Sequence, residues 1–260
     1  MFLDQKKTGF SGEKLETPRD DYIFSRQKDL VLDFVTPLAG ERLLDIGCGT
    51  GSHLQIFREK WCSLTGVDAS GKNLDVARQK HGDRAELIQA EPTDLPFSDN
   101  EFDIVTIINF LEIADNPQKI IEEAVRVCRN RIFIGFLNKY SFVGTRQRLK
   151  KMFGFPLSLP VRLYSLPEIK SMVADATGPA SVKWGSVIYF PAMVYDFFEE
   201  LEEMLPVRKN PFGAFVGLTF PVKYIYRTAQ SPVINSFQLK AKANHTAPEA
   251  VRDMLRQANP

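Results

Sequence analysis

The chain has 260 residues, enough for one large α/β domain with insertions and tight for two full domains. A hydrophobic share of 44% and a charged share of 25% are those of an ordinary globular protein, and a net charge of +1 supplies no global field that would draw in nucleic acid or an anionic membrane. Cys48, Cys62 and Cys128 are odd in number and scattered, so no disulfide framework is expected and a reducing, cytoplasmic setting is the default. His53, His81 and His245 are equally dispersed, and no metal-ligand spacing occurs. Met1–Lys14 carries no secretory pattern, and no apolar run approaches a membrane span.

Residues 1–20 are polar, with Gly9, Gly12 and Pro18, and read as a loose start. Asp21–Leu38 places Ile23, Leu30, Val31, Phe34 and Val35 on a helical stripe. Then comes Arg42–Ser52, RLLDIGCGTGS, around which the chain is organised. Leu43, Leu44 and Ile46 form a short apolar run bounded by glycines, which suits a central parallel strand. Gly47, Gly49 and Gly51 alternate through the following turn, where a missing Cβ permits unusual φ/ψ and close approach of a ligand. Ser52 is expected at or just inside the start of the next helix, which continues over His53–Lys60 and whose unsatisfied N–H groups can bind a ligand. The pattern implies a nucleotide- or nucleoside-shaped ligand held where strand meets helix. A dinucleotide fingerprint needs its third glycine at position 52, which is Ser52, and no Gly-Lys-Ser/Thr ends the turn as in a P-loop. Asp45, two residues before the first glycine, would repel a pyrophosphate and suits a cationic amino group.

Ser63–Asp68 reads as a second strand. Asp68 lies about twenty residues past the first glycine, the distance of a carboxylate that accepts from both ribose hydroxyls. A helix over Gly71–Lys80, strands over Ala85–Ala90 and Phe102–Phe110, an amphipathic helix over Pro117–Cys128 and a strand over Arg131–Leu137 follow. This alternation predicts a doubly wound, mostly parallel sheet with right-handed crossovers. Asn138–Leu163 is a basic, aromatic insertion with Arg146, Arg148, Lys150 and Lys151; it reads as a clamp for an anionic substrate, a membrane-surface helix, or a solvated helix face. Ser165–Thr177 reads as a helix capped by Ser165 with Glu168 and stopped by Gly178-Pro179. A strand over Ser181–Phe190, an amphipathic helix over Phe190–Leu205 and a last strand over Phe215–Tyr226 complete the fold, before a polar tail. The expected organisation is a single domain over 1–260: an N-terminal cap (1–40), a cofactor-binding core (41–138), substrate-side insertions (139–165 and 191–214) and the tail (228–260). The insertions, rich in Phe, Tyr and Met, either roof an apolar substrate pocket or complete the core.

DIGCGTG, LTGVDAS (Leu64–Ser70) and QAEPTDLPFSDNEFDIVTIINFLEIADNP (Gln89–Pro117) occur in order and at the right distances. Together they resemble the class I S-adenosylmethionine-dependent methyltransferases, particularly the ubiquinone/menaquinone ("methyltransferase type 11") branch, over about residues 40–138. The resemblance implies a seven-stranded sheet whose last strand is antiparallel, and S-adenosylmethionine as cofactor. It places Asp45, Gly47, Cys48, Gly49, Gly51, Asp68, Ala69, Glu91, Pro92 and Asn109 around that cofactor, with Tyr22 and Arg26 reaching it from the N-terminal helix. An acid at position 91 accepts from the adenine amino group, and the following N–H donates to a ring nitrogen. Here that residue is Pro92, which has no N–H; either Glu91 holds the amino group and the ring nitrogen bonds elsewhere, or Thr93 or Asp94 does the reading.

Asn109-Phe110-Leu111-Glu112 stands where amino-methylating enzymes carry Asn/Asp-Pro-Pro-Tyr/Phe, and lacking both prolines it argues against methylation of base amino groups. Asn109 and Glu112 are the catalytic candidates; Glu112 and Asp115 could orient or deprotonate a substrate, and both read alternatively as a solvated turn and an N-cap for the helix starting near Pro117. The resulting expectation is methyl transfer to a small-molecule acceptor, apolar or aromatic, through a carbon or oxygen nucleophile. The alternative is a non-catalytic S-adenosylmethionine-binding regulatory protein. A nicotinamide oxidoreductase is disfavoured by Ser52, and a nucleic-acid partner by the absence of a broad basic face. Peripheral membrane contact and oligomeric state stay open.

Overall fold

The computed structural model describes residues 18–141, 144–145, 162–189 and 210–222, all within the compact unit Met1–Tyr224. Strand β1 (Arg42–Ile46) is buried at every position after Arg42. It pairs in parallel with β2 (Ser63–Asp68) on one side and β4 (Phe102–Ile108) on the other, the central place its apolar run predicts. With β3 (Ala85–Gln89), β5 (Cys128–Leu137), β6 (Lys183–Val187) and β7 (Phe215–Pro221) the seven-stranded sheet has the order β3-β2-β1-β4-β5-β7-β6. Strands β1 to β5 are parallel, and β7 runs antiparallel to both β5 and β6.

Alternate residues of the central strands feed two cores, as the period of two requires. Leu43, Ile104 and Ile108 pack with Leu30, Val31 and Phe34 of α1 (Pro18–Val35), Leu54 and Phe57 of α2 (Leu54–Arg58) and Leu74 of α3 (Gly71–His81). Leu44, Ile46, Val105 and Ile107 pack with Ile120, Ile121 and Ala124 of α4 (Pro117–Val127) and with Ile169 and Val173 of α5 (Leu166–Thr177). The chain therefore winds up both faces, and the strand order reverses between β1 and β4. In open α/β sheets that reversal leaves a ligand crevice outside the carboxyl ends of the strands.

Several boundaries differ from the sequence expectation, each for a local reason. Helix α1 opens at Pro18, inside the stretch read as a loose start, and stops at Val35 rather than Leu38. Pro37 disfavours a helical Thr36, which turns left-handed at φ 43°. The Arg131 guanidinium takes up the released carbonyls of Val35 (2.6 Å) and Thr36 (3.1 Å) while pairing with Glu41 at 2.7 Å. Helix α2 is shorter than His53–Lys60, and Ser52 lies in the turn before it rather than at its start. Strand β4 ends at Ile108, so Asn109 and Phe110 begin the next turn, and β5 begins already at Cys128. Asn116, not Asp115, caps α4 by accepting from the Lys119 N–H at 3.2 Å, and Asp115 is exposed. Helix α5 carries the predicted capping box between Ser165 and Glu168 and ends on Gly178 at φ 73°. The helix read over Phe190–Leu205, the cluster Arg146, Arg148, Lys150 and Lys151, and the tail 228–260 lie outside the described residues.

Candidate cofactor site

The backbone of the glycine turn and two carboxylates form the candidate site at the carboxyl ends of β1 and β2. The N–H groups of Gly47 and Cys48 both donate to the Val67 carbonyl, at 2.8 and 3.0 Å, and Gly51 closes the turn on Cys48 at 2.9 Å. All three glycines of the turn have positive φ, at 71°, 54° and 78°, but they do different work. A Cβ on Gly47 would stand 2.1 Å from the Phe110 ring, and one on Gly51 would stand 2.7 Å from His81 Nε2. That nitrogen donates to the Gly51 carbonyl at 2.8 Å. These two glycines are needed for packing. Only at Gly49 does the position of a Cβ face open space, so the approach of a ligand is concentrated there. Cys48 points its side chain into the core at 4% exposure, and burial raises its thiol pKa, so only its backbone is available to a ligand.

Asp68, at the end of β2, holds the turn from the other side. Its Oδ2 accepts from the Gly49 N–H at 2.9 Å and its Oδ1 from the Ser70 N–H at 2.8 Å. Each carboxylate oxygen has two lone pairs, so Oδ2 keeps room for a ribose hydroxyl beside Gly49. Asp45 is fully buried. Thr106 of β4 donates to its Oδ1 at 2.6 Å, and its Oδ2 has no partner. Burial pushes its pKa up to about 7, with Thr106 opposing and Asp68 adding to the rise. An unpaired buried carboxylate oxygen on the strand that leads into this glycine turn is the arrangement a cationic amino group would relieve, so the residues fit the methionine end of S-adenosylmethionine.

The loop after β3 is where the resemblance places the adenine contacts. Ala90 donates to the Asp68 carbonyl at 3.3 Å, which carries the loop directly past the end of β2. Glu91 and Ala69 are exposed and Pro92 is buried. The Asp94 N–H is already spent on the Glu91 carbonyl at 3.0 Å, whereas no such bond engages the Thr93 N–H. On the far side, Asn109 takes a left-handed φ of 54°, donates its N–H to Gly135 at 2.9 Å and leaves its buried Oδ1 without a partner.

Glu112 is not in a solvated turn. It is 5% exposed, and its Oε1 accepts from the Leu137 N–H at 2.5 Å at the end of β5. Its Oε2 has no partner, and burial raises its pKa to about 7. A carboxyl with a raised pKa is stabilising while protonated and loses that contribution as pH rises through about 7. Glu112→Gln keeps the acceptor for Leu137 and removes the charge. The expected result is a higher melting temperature than wild type at pH 8, a smaller gain at pH 5, and a flatter stability profile between them, measured by calorimetry.

Tyr22 and Arg26 lie one turn apart on α1 and are half-buried. Phe24 between them stacks on the His53 ring at 6.5 Å between centroids, which sets this half of α1 beside the exit of the glycine turn. Sequence reasoning missed the partners: Thr106 for Asp45, Phe110 and His81 for the glycines, and Gln27, buried at 4% with its Nε2 unpartnered. None of them carries a pattern of its own in the sequence. Among the described residues, no group of three His, Cys, Asp or Glu could hold a metal, and no helix is long and apolar enough to cross a membrane.

A methyltransferase-domain family model matches residues 44–133, the segment that carries β1 to β5. A demethylmenaquinone methyltransferase of Tropheryma whipplei is 34% identical over 201 residues, covering 75% of this chain and 76% of that protein. One from Clavibacter sepedonicus is 38% identical over 97 residues, covering 36% and 40%. Against such curated relatives the chain spans about half their length or less, the Tropheryma protein excepted. In fold it resembles an S-adenosylmethionine-dependent methyltransferase of Thermotoga maritima, with a TM-score of 0.61 at 21% identity over 78% of this chain and 90% of that one. The sheet order, the glycine turn and its two carboxylates thus define a Rossmann-like S-adenosylmethionine-binding domain. The chain belongs to the class I S-adenosylmethionine-dependent methyltransferases, in the type 11 branch.

Proposed function

We propose that the protein transfers the methyl group of S-adenosylmethionine to a small apolar or aromatic acceptor through a carbon or oxygen nucleophile. The observation that carries this reading is the unpartnered oxygen of buried Asp45, two residues before the glycine turn, in which Gly49 faces open space and which Asp68 holds. The cofactor supplies an already activated methyl group on a sulfonium. The chain's share of the work is to align the acceptor and keep water out. Asp45 would face the methionine ammonium, Asp68 the ribose, Glu91 the adenine amino group and the Thr93 N–H a ring nitrogen, in place of the donor that Pro92 lacks.

The acceptor reading rests on the carboxyl edge of β4 and β5. There the Glu112 carbonyl accepts from Arg162 at 3.0 Å, and Asn138 Nδ2 donates to the carbonyls on both sides of Phe212, at 2.7 and 2.8 Å. Ile113, Tyr140 and Phe212, each in a segment tied down by one of these bonds or next to it, are exposed by 44%, 51% and 64%. Apolar side chains left in water at the edge where α/β sheets take their ligands favour an apolar acceptor. The quinone precursor named in the relatives is of that class. Glu112, with a free buried oxygen in the same turn, is the candidate to orient the acceptor's hydrogen.

Titration calorimetry with S-adenosylmethionine and S-adenosylhomocysteine tests the cofactor half. Wild type is expected to bind both. Asp68→Ala removes the acceptor of the Gly49 and Ser70 N–H groups, so it should lower stability by about 1–3 kcal/mol and weaken binding by at least about 100-fold. Absence of binding by the wild type would overturn the reading. Binding without methyl transfer to any phenol, enol or hydroquinone would favour the non-catalytic alternative.

A further inference from the structure

The loop that would read the adenine has little of its own to hold it. Its internal main-chain bonds are Asp94 to Glu91 at 3.0 Å and Phe97 to Leu95 at 2.8 Å. Its shape is imposed from α4, by two residues that are not among the cofactor-site residues named above. Arg126 spends all five of its N–H donors there. Nε and Nη2 form a fork on Glu123, at 3.1 and 2.8 Å. Nη2 also reaches the Leu95 carbonyl at 2.9 Å, while Nη1 donates to the Phe97 carbonyl at 2.7 Å and to Asp99 at 3.0 Å. Glu123, buried against the loop, accepts the Leu95 N–H at 3.0 Å with the same oxygen that meets the guanidinium. The Arg126 carbonyl in turn accepts from Asn100 at 2.9 Å.

We infer that the Glu123–Arg126 pair is a positioning device for base recognition: it presets the backbone of Leu95–Asn100 and through it the tight Glu91–Asp94 turn that meets the adenine. The inference rests on the cofactor reading above and goes beyond it, since neither residue would touch the cofactor. Arg126 holds the Glu123 carboxyl below its ordinary pKa, so the pair stays ionised throughout the neutral range. A lysine offers a point charge with three donors and cannot reproduce a fork plus three further bonds. A loop released from the fork samples other shapes, and what suffers then is the fit of Glu91 and Thr93 to one particular base edge.

The experiment compares S-adenosylhomocysteine with S-inosylhomocysteine, in which the 6-amino group is a carbonyl and the ring nitrogen carries a hydrogen. Dissociation constants for both are measured on wild type, Arg126→Lys and Glu123→Gln, each checked for folding by melting temperature. Wild type is expected to prefer the adenine compound by about 10- to 100-fold, and the preference should fall by at least about 5-fold in the folded variants. A merely structural loss would weaken both ligands alike and leave their ratio unchanged, which would overturn the inference. If Arg126→Lys does not fold, the ratio in Glu123→Gln decides. Failure of the wild type to bind either compound would instead overturn the cofactor reading itself, and the inference with it.

Discussion

At pH 8, Asp45→Asn is expected to melt above the wild type and yet to bind S-adenosylhomocysteine about 10- to 100-fold more weakly. The two effects share one cause. The Asp45 carboxyl is buried, is served by a single donor from Thr106, and has its pKa pushed up to about 7 by desolvation. A group whose pKa is raised on folding stabilises the protein while protonated, and that contribution is lost as pH rises toward and through about 7. At pH 8 the wild type therefore carries a poorly solvated charge, and the amide relieves it by on the order of 1–3 kcal/mol. At pH 5 the folded carboxyl is neutral, so the gain should be clearly smaller and come only from ionisation of the unfolded chain. The affinity moves the other way because the charge is what a ligand ammonium would neutralise. Linkage then makes binding a titration: at pH 6 Asp45 is mostly protonated when empty and must ionise against an ammonium, so nearly one proton should be released per ligand bound. At pH 8 almost none should be released. Calorimetry in two buffers of different ionisation enthalpy measures this count. Equal proton release in wild type and Asp45→Asn at pH 6 would remove Asp45 from the site.

This dual behaviour was half legible in the sequence. An acid two residues before the first glycine announces that something cationic is near, and the apolar run around it announces a central strand. The size of the pKa shift depends on Thr106, whose Oγ lies opposite Asp45 only because β1 and β4 pair in the register Asp45↔Thr106. Register across a parallel pair separated by two helices and two strands is a tertiary fact without a local signal. The same holds for the glycines. Their spacing is visible, but that Gly47 yields to Phe110 and Gly51 to His81, leaving Gly49 facing open space, requires the turn after β4 and the end of α3 to be in place. Helix caps behaved differently: Ser165 with Glu168 was readable because both partners lie within one turn. At α4 the adjacent Asp115 and Asn116 are chemically equivalent caps, and only the geometry selects Asn116. Glu112 is the clearest case of tertiary override. As sequence it reads as well as a turn carboxylate as anything else, and only the return of β5 to Leu137 buries it.

The packing of Phe110 on Gly47 leads to the largest stability effect expected in the domain. Gly47 sits at φ 71°, which costs a non-glycine residue about 1–2 kcal/mol. Its added Cβ would also fall 2.1 to 2.6 Å from three ring atoms of Phe110. The ring cannot stay, and overpacking this half-buried contact adds about 1–3 kcal/mol. Gly47→Ala should therefore lose about 2–5 kcal/mol in denaturant unfolding. The double variant with Phe110→Ala removes the clash but not the backbone strain. Its loss should be smaller than the sum of the two single losses by about 1–3 kcal/mol, a coupling that a double-mutant cycle reads directly. Simple additivity would mean that ring and glycine are independent. The coupling matters for function because Phe110 lies in the turn that carries Asn109 and Glu112, so the packing of the glycine turn proposed to hold the cofactor is tied to the turn proposed to meet the acceptor. On that proposal, displacing the ring should disturb both turns together, and methyl transfer should fall in Gly47→Ala by more than the fraction of protein left unfolded, with turnover lowered even where cofactor is saturating.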